Sequence, residues 1–375
     1  MIVNYPRMRR RAAWPSDLDT ALEFTSPEVF SISASKNWDG KLEYTNGSGW
    51  QTWDGSEITS GENGSNHCIY LRGTGNSKIT GMISTGAKWN IIGTNIACNG
   101  DIDLLLDYST VKSGNRPAMA NYCYASMFRG CTSLMAAPSL PATTLADYCY
   151  YCMFYGCTSL TAAPSLPATT LADYCYYYMF YGCTSLTAAP SLPATTLADH
   201  CYYSMFEGCT SLMAAPSLPA TTLADYCYAS MFRGCTSLTA APSLPATTLA
   251  DHCYYSMFRG CTSLMAAPSL PATTMVKNCY TAMFWGCTSL TAAPSLPATT
   301  LVQYCYTSMF RYCTKIKLST TASGTYTKAY RIPKSGTGTT DPGALNSMFG
   351  NTGGTFKGTP EINTTYYLDA SNTIV

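Results

Sequence analysis

The chain has 375 residues, of which 46% are hydrophobic and only 11% charged, with a formal net charge of +1. That balance argues against a polyanion binder, since nucleic-acid affinity rests on clustered Lys and Arg. No segment reaches the roughly 18 consecutive apolar residues that crossing a bilayer as a helix requires, so no membrane insertion is expected.

Residues 1–21 read as a leader whose one basic cluster, Arg7, Arg9, Arg10 and Arg11, belongs to a solvated end. It lacks an apolar h-region, because Ala12, Ala13 and Trp14 run straight into Pro15, so no secretory signal is expected. Residues 22–118 carry no repeat. Runs at 22–26, 29–35, 41–45, 50–53 and 68–73 are rich in β-branched and aromatic residues and are separated by Gly, Asn and Asp clusters. Strands at this spacing predict a small antiparallel, sandwich-like β domain that covers the apolar start of the repeated region.

From near Asn121 a unit of 26 residues is written eight times, over residues 119–318. A fixed period of this size marks a stacked-repeat architecture and one long surface suited to binding. The first cysteine of each copy falls at 123, 149, 175, 201, 227, 253, 279 and 305, and the second eight residues later. Sixteen of the 19 cysteines therefore belong to the repeat, with Cys68, Cys98 and Cys152 outside it. An apolar repeated setting favours buried free thiols and folding in a reducing compartment, with disulfides between adjacent copies as the alternative.

Within one copy, Thr144 with Asp147 three residues later has the form of a capping box. A helix is predicted from about Leu145 to Tyr155, ended by a left-handed turn at Gly156. Leu145, Cys149 and Met153, with Tyr150 and Phe154, supply its apolar stripe. After the glycine, residues 157–162 read as a short strand, and Pro164 and Pro167 hold the path extended to the next copy. The fold class expected is an α/β repeat solenoid, leucine-rich-repeat-like, with one strand and one helix per unit. At roughly 4.8 Å per copy the strand layer spans roughly 40 Å, curved with the wider helices outside.

Copies differ chiefly at the sites of Tyr148, Tyr151, Cys152 and Tyr155, which become His, Asn, Ala, Ser, Thr, Arg, Glu or Trp elsewhere. These positions are spaced i, i+3, i+4, i+7 and line one helix face opposite the core. The resulting surface is rich in Tyr, Arg, Ser and His, residue types that give stiff contact area with adaptable hydrogen bonds. The ligand-binding candidates are Tyr148, Tyr151, Tyr155, Tyr174, Tyr177, Tyr181, His200, Tyr203, Arg233, His252, Tyr255, Arg259, Trp285 and Arg311. The alternative is a solvent-facing side that varies because nothing packs on it.

Residues 319–375 read as a C-terminal cap, with 344–350 as a last degenerate helix and 361–368 as a closing strand. Polar, atypical terminal units keep a repeat stack soluble.

The string Met153-Phe154-x-Gly156-Cys157-Thr158-Ser159-Leu160-x-x-Ala163-Pro164-x-Leu166-Pro167 resembles the BspA-type leucine-rich repeat. This variant is similar to proteins of gut bacteria and their phages. The resemblance implies surface adhesion or, in phages, a tail-fibre or receptor-binding role. The 26-residue period is longer than the commoner bacterial form, and with no export signal the virion tail is favoured over the bacterial surface.

No catalytic or cofactor-binding constellation emerges. His200 and His252 sit at equivalent sites two copies apart and read as repeat variants. The lone Cys149-x-x-Cys152 lacks a partner pair for zinc. Gly336-x-Gly338 lacks the strand-then-helix setting of a phosphate loop. No enzyme, cofactor or metal is expected. The function expected is binding of a bacterial surface glycan or protein receptor, by a chain that associates with itself as a trimer or with other virion proteins. A bacterial adhesin and a structural spacer or decoration subunit are the alternatives.

Overall fold

A computed structural model describes residues 14–47, 49–81, 88–333 and 343–375. The arginine cluster at 7–11 and the Gly336/Gly338 pair lie outside the described residues. The protein is strand-rich and mostly non-helical, with no closed sheet among the described residues.

The N-terminal strands form where the sequence alternates. They are β1 (Leu22–Ser26), β2 (Ser31–Ala34), β3 (Lys41–Thr45), β4 (Gln51–Trp53), β5 (Ile58–Thr59), β6 (Gly61–Asn63), β7 (Asn66–Thr74), β8 (Trp89–Ile92) and β9 (Ile96–Asn99). In β1, Leu22 and Phe24 are buried and their neighbours half-exposed, which fixes its pairing with β7 on one side and β9 on the other. β3 continues that sheet beyond β7 and β4 closes it, while β2 forms a second sheet between β5 and β8. Trp38, Trp53 and Trp89 pack between them with ring centroids 5.2 Å apart. The sole α-helix among the described residues, α1 (Leu104–Lys112), is broken at Asp107, where φ is −154° and ψ 100°. There the Asp107 carboxylate accepts the Thr110 N–H at 2.9 Å and restarts the helix as an N-cap.

This domain occupies the place of a preceding copy. The N–H groups of Ile79, Trp89 and Ile96 donate to Cys123, Met127 and Ser133 of copy one at 2.9–3.0 Å. β10 (Leu134–Ala136) of that copy joins β9 in parallel.

The repeats replace the expected helix with a ribbon of consecutive turns. Every fourth residue takes a left-handed conformation: Tyr148 at φ 57°, Cys152 at 52° and Gly156 at 70°, and the same sites in the other copies. Backbone N–H groups then alternate between two destinations. Cys149, Tyr151, Met153, Tyr155 and Cys157 donate three residues back, at 3.0–3.2 Å. Tyr148, Tyr150, Cys152, Phe154 and Gly156 donate into the next copy, to Asp173, Cys175, Tyr177, Met179 and Tyr181 at 2.7–3.0 Å. An α-helix would keep every N–H in its own segment. Here a left-handed non-Gly residue costs about 1–2 kcal/mol, and the inter-copy bonds, each worth about 0.5–1.5 kcal/mol net, offset it. The left-handed glycine is where the sequence places it, but no helix precedes it.

The capping box is also corrected. Thr144 bridges Thr170 of the next copy, and the Asp147 carboxylate accepts the Asp173 N–H at 3.2 Å. The acid caps its neighbour copy. With no helix layer among the repeats, no wider outer layer is present to impose the expected curvature. The short strand shrinks to single parallel bridges such as Ala162 to Ala188 and Ala188 to Ala214, because Pro164 and Pro190 follow within two residues and cannot donate.

The predicted core stripe does face inward. Cys149, Met153, Phe154, Cys157 and Leu160 are fully buried. Equivalent rings stack from copy to copy: Tyr124 through Tyr306 at 5.7–5.9 Å, and Phe128 through Phe349 at 5.4–5.8 Å. Phe24 and Trp89 meet the phenylalanine column at its start, and Tyr330 and Phe356 at its end. All 19 cysteines are free and buried. From Cys157 to Cys313 the second cysteine of each copy donates its thiol to the carbonyl of the previous copy's phenylalanine, at 2.9–3.1 Å.

At the far end, residues 344–350 form a ninth turn ribbon, not a helix. Ala344, Asn346, Met348 and Gly350 accept from Tyr306, Ser308, Phe310 and Tyr312 at 2.8–2.9 Å. β11 (Ala292–Ala293) of copy seven pairs with β16 (Thr373–Ile374) at the terminus. β12 (Lys317–Ser319), β13 (Tyr326–Arg331), β14 (Gly353–Gly354) and β15 (Thr365–Asp369) form a last sheet.

Phe206 lies mid-column between Phe180 and Phe232. Phe206→Ala should lower unfolding stability by about 3–5 kcal/mol in denaturant titration, as expected for a buried ring lost to a cavity. Unchanged stability would contradict the column.

Candidate binding face

In the turn ribbon the large side chains at three of the four variable positions reach the surface, whereas Ala125, Ala229 and Thr281 at the site of Tyr151 are buried. Position 152 is buried: Cys152, Ser204 and Ser256 are 1–3% exposed. The reading that placed it on the outer face is thus corrected, because its left-handed backbone turns the side chain inward among its neighbours. Tyr178 is the exception. Too large to bury there, it packs edge-on against Tyr177 and Tyr203 at 4.4 and 5.6 Å.

Positions 148, 151 and 155 form three columns. The first runs Tyr122, Tyr148, Tyr174, His200, Tyr226, His252, with centroids 4.2–4.6 Å apart and planes within 14°. The second stacks Tyr151, Tyr177 and Tyr203 at 5.0 and 4.6 Å and is interrupted by the buried Ala229, with Tyr255 at the same site one copy beyond. In the third, Tyr155 and Tyr181 stack at 4.6 Å with Arg129 over Tyr155. It continues through an ion pair of Glu207 with Arg233 at 3.3 Å, then Arg259, Trp285 and Arg311.

The structure therefore brings all fourteen candidates into these columns. Tyr122, Arg129, Tyr226 and Glu207 complete the columns and were not among the candidates; adding or subtracting 26 from the chosen residues would have found them. On this face the rings of adjacent copies pack on one another. Each stacked ring covers its neighbours' faces, so ring edges and hydroxyls are what the face presents outward.

Electrostatics follow from that packing. Burial holds both imidazoles, His200 and His252, below the ordinary histidine value, against the opposing pull of nearby aspartates. Burial also pushes the Tyr203 hydroxyl up to about 12. Beside the first column, Asp147, Asp173, Asp199, Asp225 and Asp251 each accept the backbone N–H of the next copy at 2.9–3.2 Å. Those aspartates, 26 residues apart, hold neighbouring copies together.

Elsewhere, a cleft in the N-terminal domain is lined by Glu23, Tyr70, Asn99 and Lys112 among others. Its central carboxylate, Glu23, is engaged by the Tyr70 hydroxyl at 2.7 Å and the Asn99 amide at 3.1 Å. Among the described residues no group of His, Cys, Asp or Glu could hold a metal ion, and no helix is long and apolar enough to cross a membrane.

A model of the BspA type Leucine rich repeat region matches residues 108–239 and 228–330, with six copies. No curated protein and no solved structure matches the chain.

The histidines give a pH test. A folded-state pKa below the unfolded value near 6.5 means stability is complete above that value and is lost as pH falls through it. Replacing His200 and His252 by Tyr, the residue of the same column, should make the fall in melting temperature between roughly pH 7 and pH 5 smaller than in the parent chain. An equal fall in both proteins would contradict the shift.

Proposed function

We propose, because this chain belongs to the BspA-type leucine-rich repeat family and its copies stack rings and guanidinium groups in outward columns, that it is a non-catalytic binding protein. The repeats act as one solenoid whose aromatic face recognises a bacterial surface glycan or protein receptor. Family membership supports a surface or binding role. The observation that carries the reading is that three of the four positions at which copies differ most form these columns, while the buried positions other than that of Cys152 repeat nearly unchanged. A face that served only to hold copies apart would more often carry Lys and Glu than twelve aromatic or imidazole rings in register.

Attachment to a host cell is the setting proposed, on a virion tail or, alternatively, at a bacterial surface. Rigid stacked rings lose little conformational entropy on binding, which suits a surface that must grip without rearranging.

The test removes hydroxyls and keeps rings. Tyr148→Phe, Tyr174→Phe and Tyr226→Phe together should weaken binding to host cells by about tenfold or more, since each lost hydrogen bond is worth about 0.5–1.5 kcal/mol. Melting temperature should stay close to that of the parent chain. Unchanged cell binding would shift the reading to a structural spacer. Serine at the same sites would also remove the stacking, so stability would fall with it.

A further inference from the structure

The third column alternates complementary neighbours along most of its length. Arg129 lies over Tyr155, Tyr155 stacks on Tyr181, Glu207 pairs with Arg233, and Arg259 and Arg311 sandwich Trp285 at 4.5 and 4.6 Å from its centroid. Between copies five and six, however, Arg233 and Arg259 stand in successive positions with no acid between them. Among the described residues Arg259 and Arg311 make no ion pair, and the Arg311 Nε is buried without a hydrogen-bond partner. After desolvation, repulsion from Arg233 is the next largest cause holding the Arg259 guanidinium below its ordinary value.

We propose that Arg259 and Arg311, fixed on either face of Trp285, together with the neighbouring Arg233, form an anion-recognition site for a polysaccharide bearing carboxylate or phosphate groups. The site deepens the reading of the outward columns as the binding face and rests on it. A chain charge of +1 conceals the cluster, because charge elsewhere balances three arginines gathered in one column. Stacking on the indole holds the Arg259 and Arg311 guanidinium planes in advance, leaving their forks of N–H donors to meet an anion in bidentate fashion. An anion near Arg233 and Arg259 removes the one like-charge step in the column. Repetition along the stack suits a polymer whose charge recurs.

Other anions fit less well. Single-stranded nucleic acid needs open aromatic faces for its bases, and both faces of Trp285 are taken. An acidic protein partner would centre on buried aromatic anchors in pockets, and this indole offers none.

The full chain is titrated with alginate as a carboxylate polymer, poly(glycerol phosphate) as a phosphate polymer, neutral dextran and polyglutamate. Binding of alginate or poly(glycerol phosphate), weakening with salt, is expected, and the tighter of the two identifies the anion. Arg259→Gln with Arg311→Gln should lower that affinity by about tenfold or more. Lys36→Gln with Lys112→Gln, an exposed pair of equal charge in the N-terminal domain, should leave it within about twofold. Dextran binding as tightly as the charged polymers, polyglutamate binding tighter than either, no binding of either, or an unaffected double-arginine variant would each overturn the proposal. Parallel cell-binding assays with the Tyr→Phe variant separate the two readings. A chain that keeps tyrosine-dependent cell binding but takes no anionic polymer loses this site and retains the binding face.

Discussion

The alternating fate of the backbone N–H groups governs this molecule. In each turn ribbon one N–H closes a local turn and the next reaches into the following copy, so neither half of the pattern stands without the other. A single copy would leave five donors of its ribbon unpaired, at about 1–3 kcal/mol for each one buried. The unit of folding is therefore the interface between copies, as expected of quasi-one-dimensional proteins. Both ends need a partner that mimics a copy. Strand and loop backbone of the N-terminal domain serves at one end, and the ribbon at 344–350 with the segment reaching Gly358 serves at the other.

The same register fixes the side chains. Because backbone bonds align each residue with the one 26 positions away, like falls on like, and every position becomes a column. Inside, this gives the tyrosine and phenylalanine stacks and the row of thiols hydrogen-bonded to carbonyls. Burial pushes those thiols far above their ordinary range, Cys183 and Cys261 up to about 12, so they behave as small apolar donors and not as nucleophiles.

Much of this was legible in the sequence. The period, the inward stripe and several N-terminal strands follow from alternation and repetition; 22–26 and 41–45 match β1 and β3 end to end. The helix did not follow, for an instructive reason. Leu145, Cys149, Met153 and Cys157 recur at a strict spacing of four. On an α-helix of 3.6 residues per turn each such step drifts by about 40°, so the stripe would wander off its face within three steps. A ribbon that resets every fourth residue through a left-handed turn has no such drift. The content of Tyr, Phe, Cys and Thr, all middling or poor helix formers, pointed the same way. Burial of position 152 was not legible, because it depends on the left-handed backbone at that residue and not on the residue itself.

Column packing also limits how such a face changes its specificity. His200 touches Tyr174 on one side and Tyr226 on the other, so a substitution there is felt by two neighbouring copies. Residues able to stack, such as Tyr, His, Trp and Arg, exchange within a column at little cost in packing. A short or branched side chain interrupts it, as Asn278 does where the ring stacking of the first column ends at His252. Where the columns stack, the groups are planar, and their chemistry lies in what those planes carry at their rims. Hydroxyls from tyrosine, ring nitrogens from histidine and forked donors from arginine differ in charge while sharing one shape. A stack built this way alters its outer chemistry without altering how it folds.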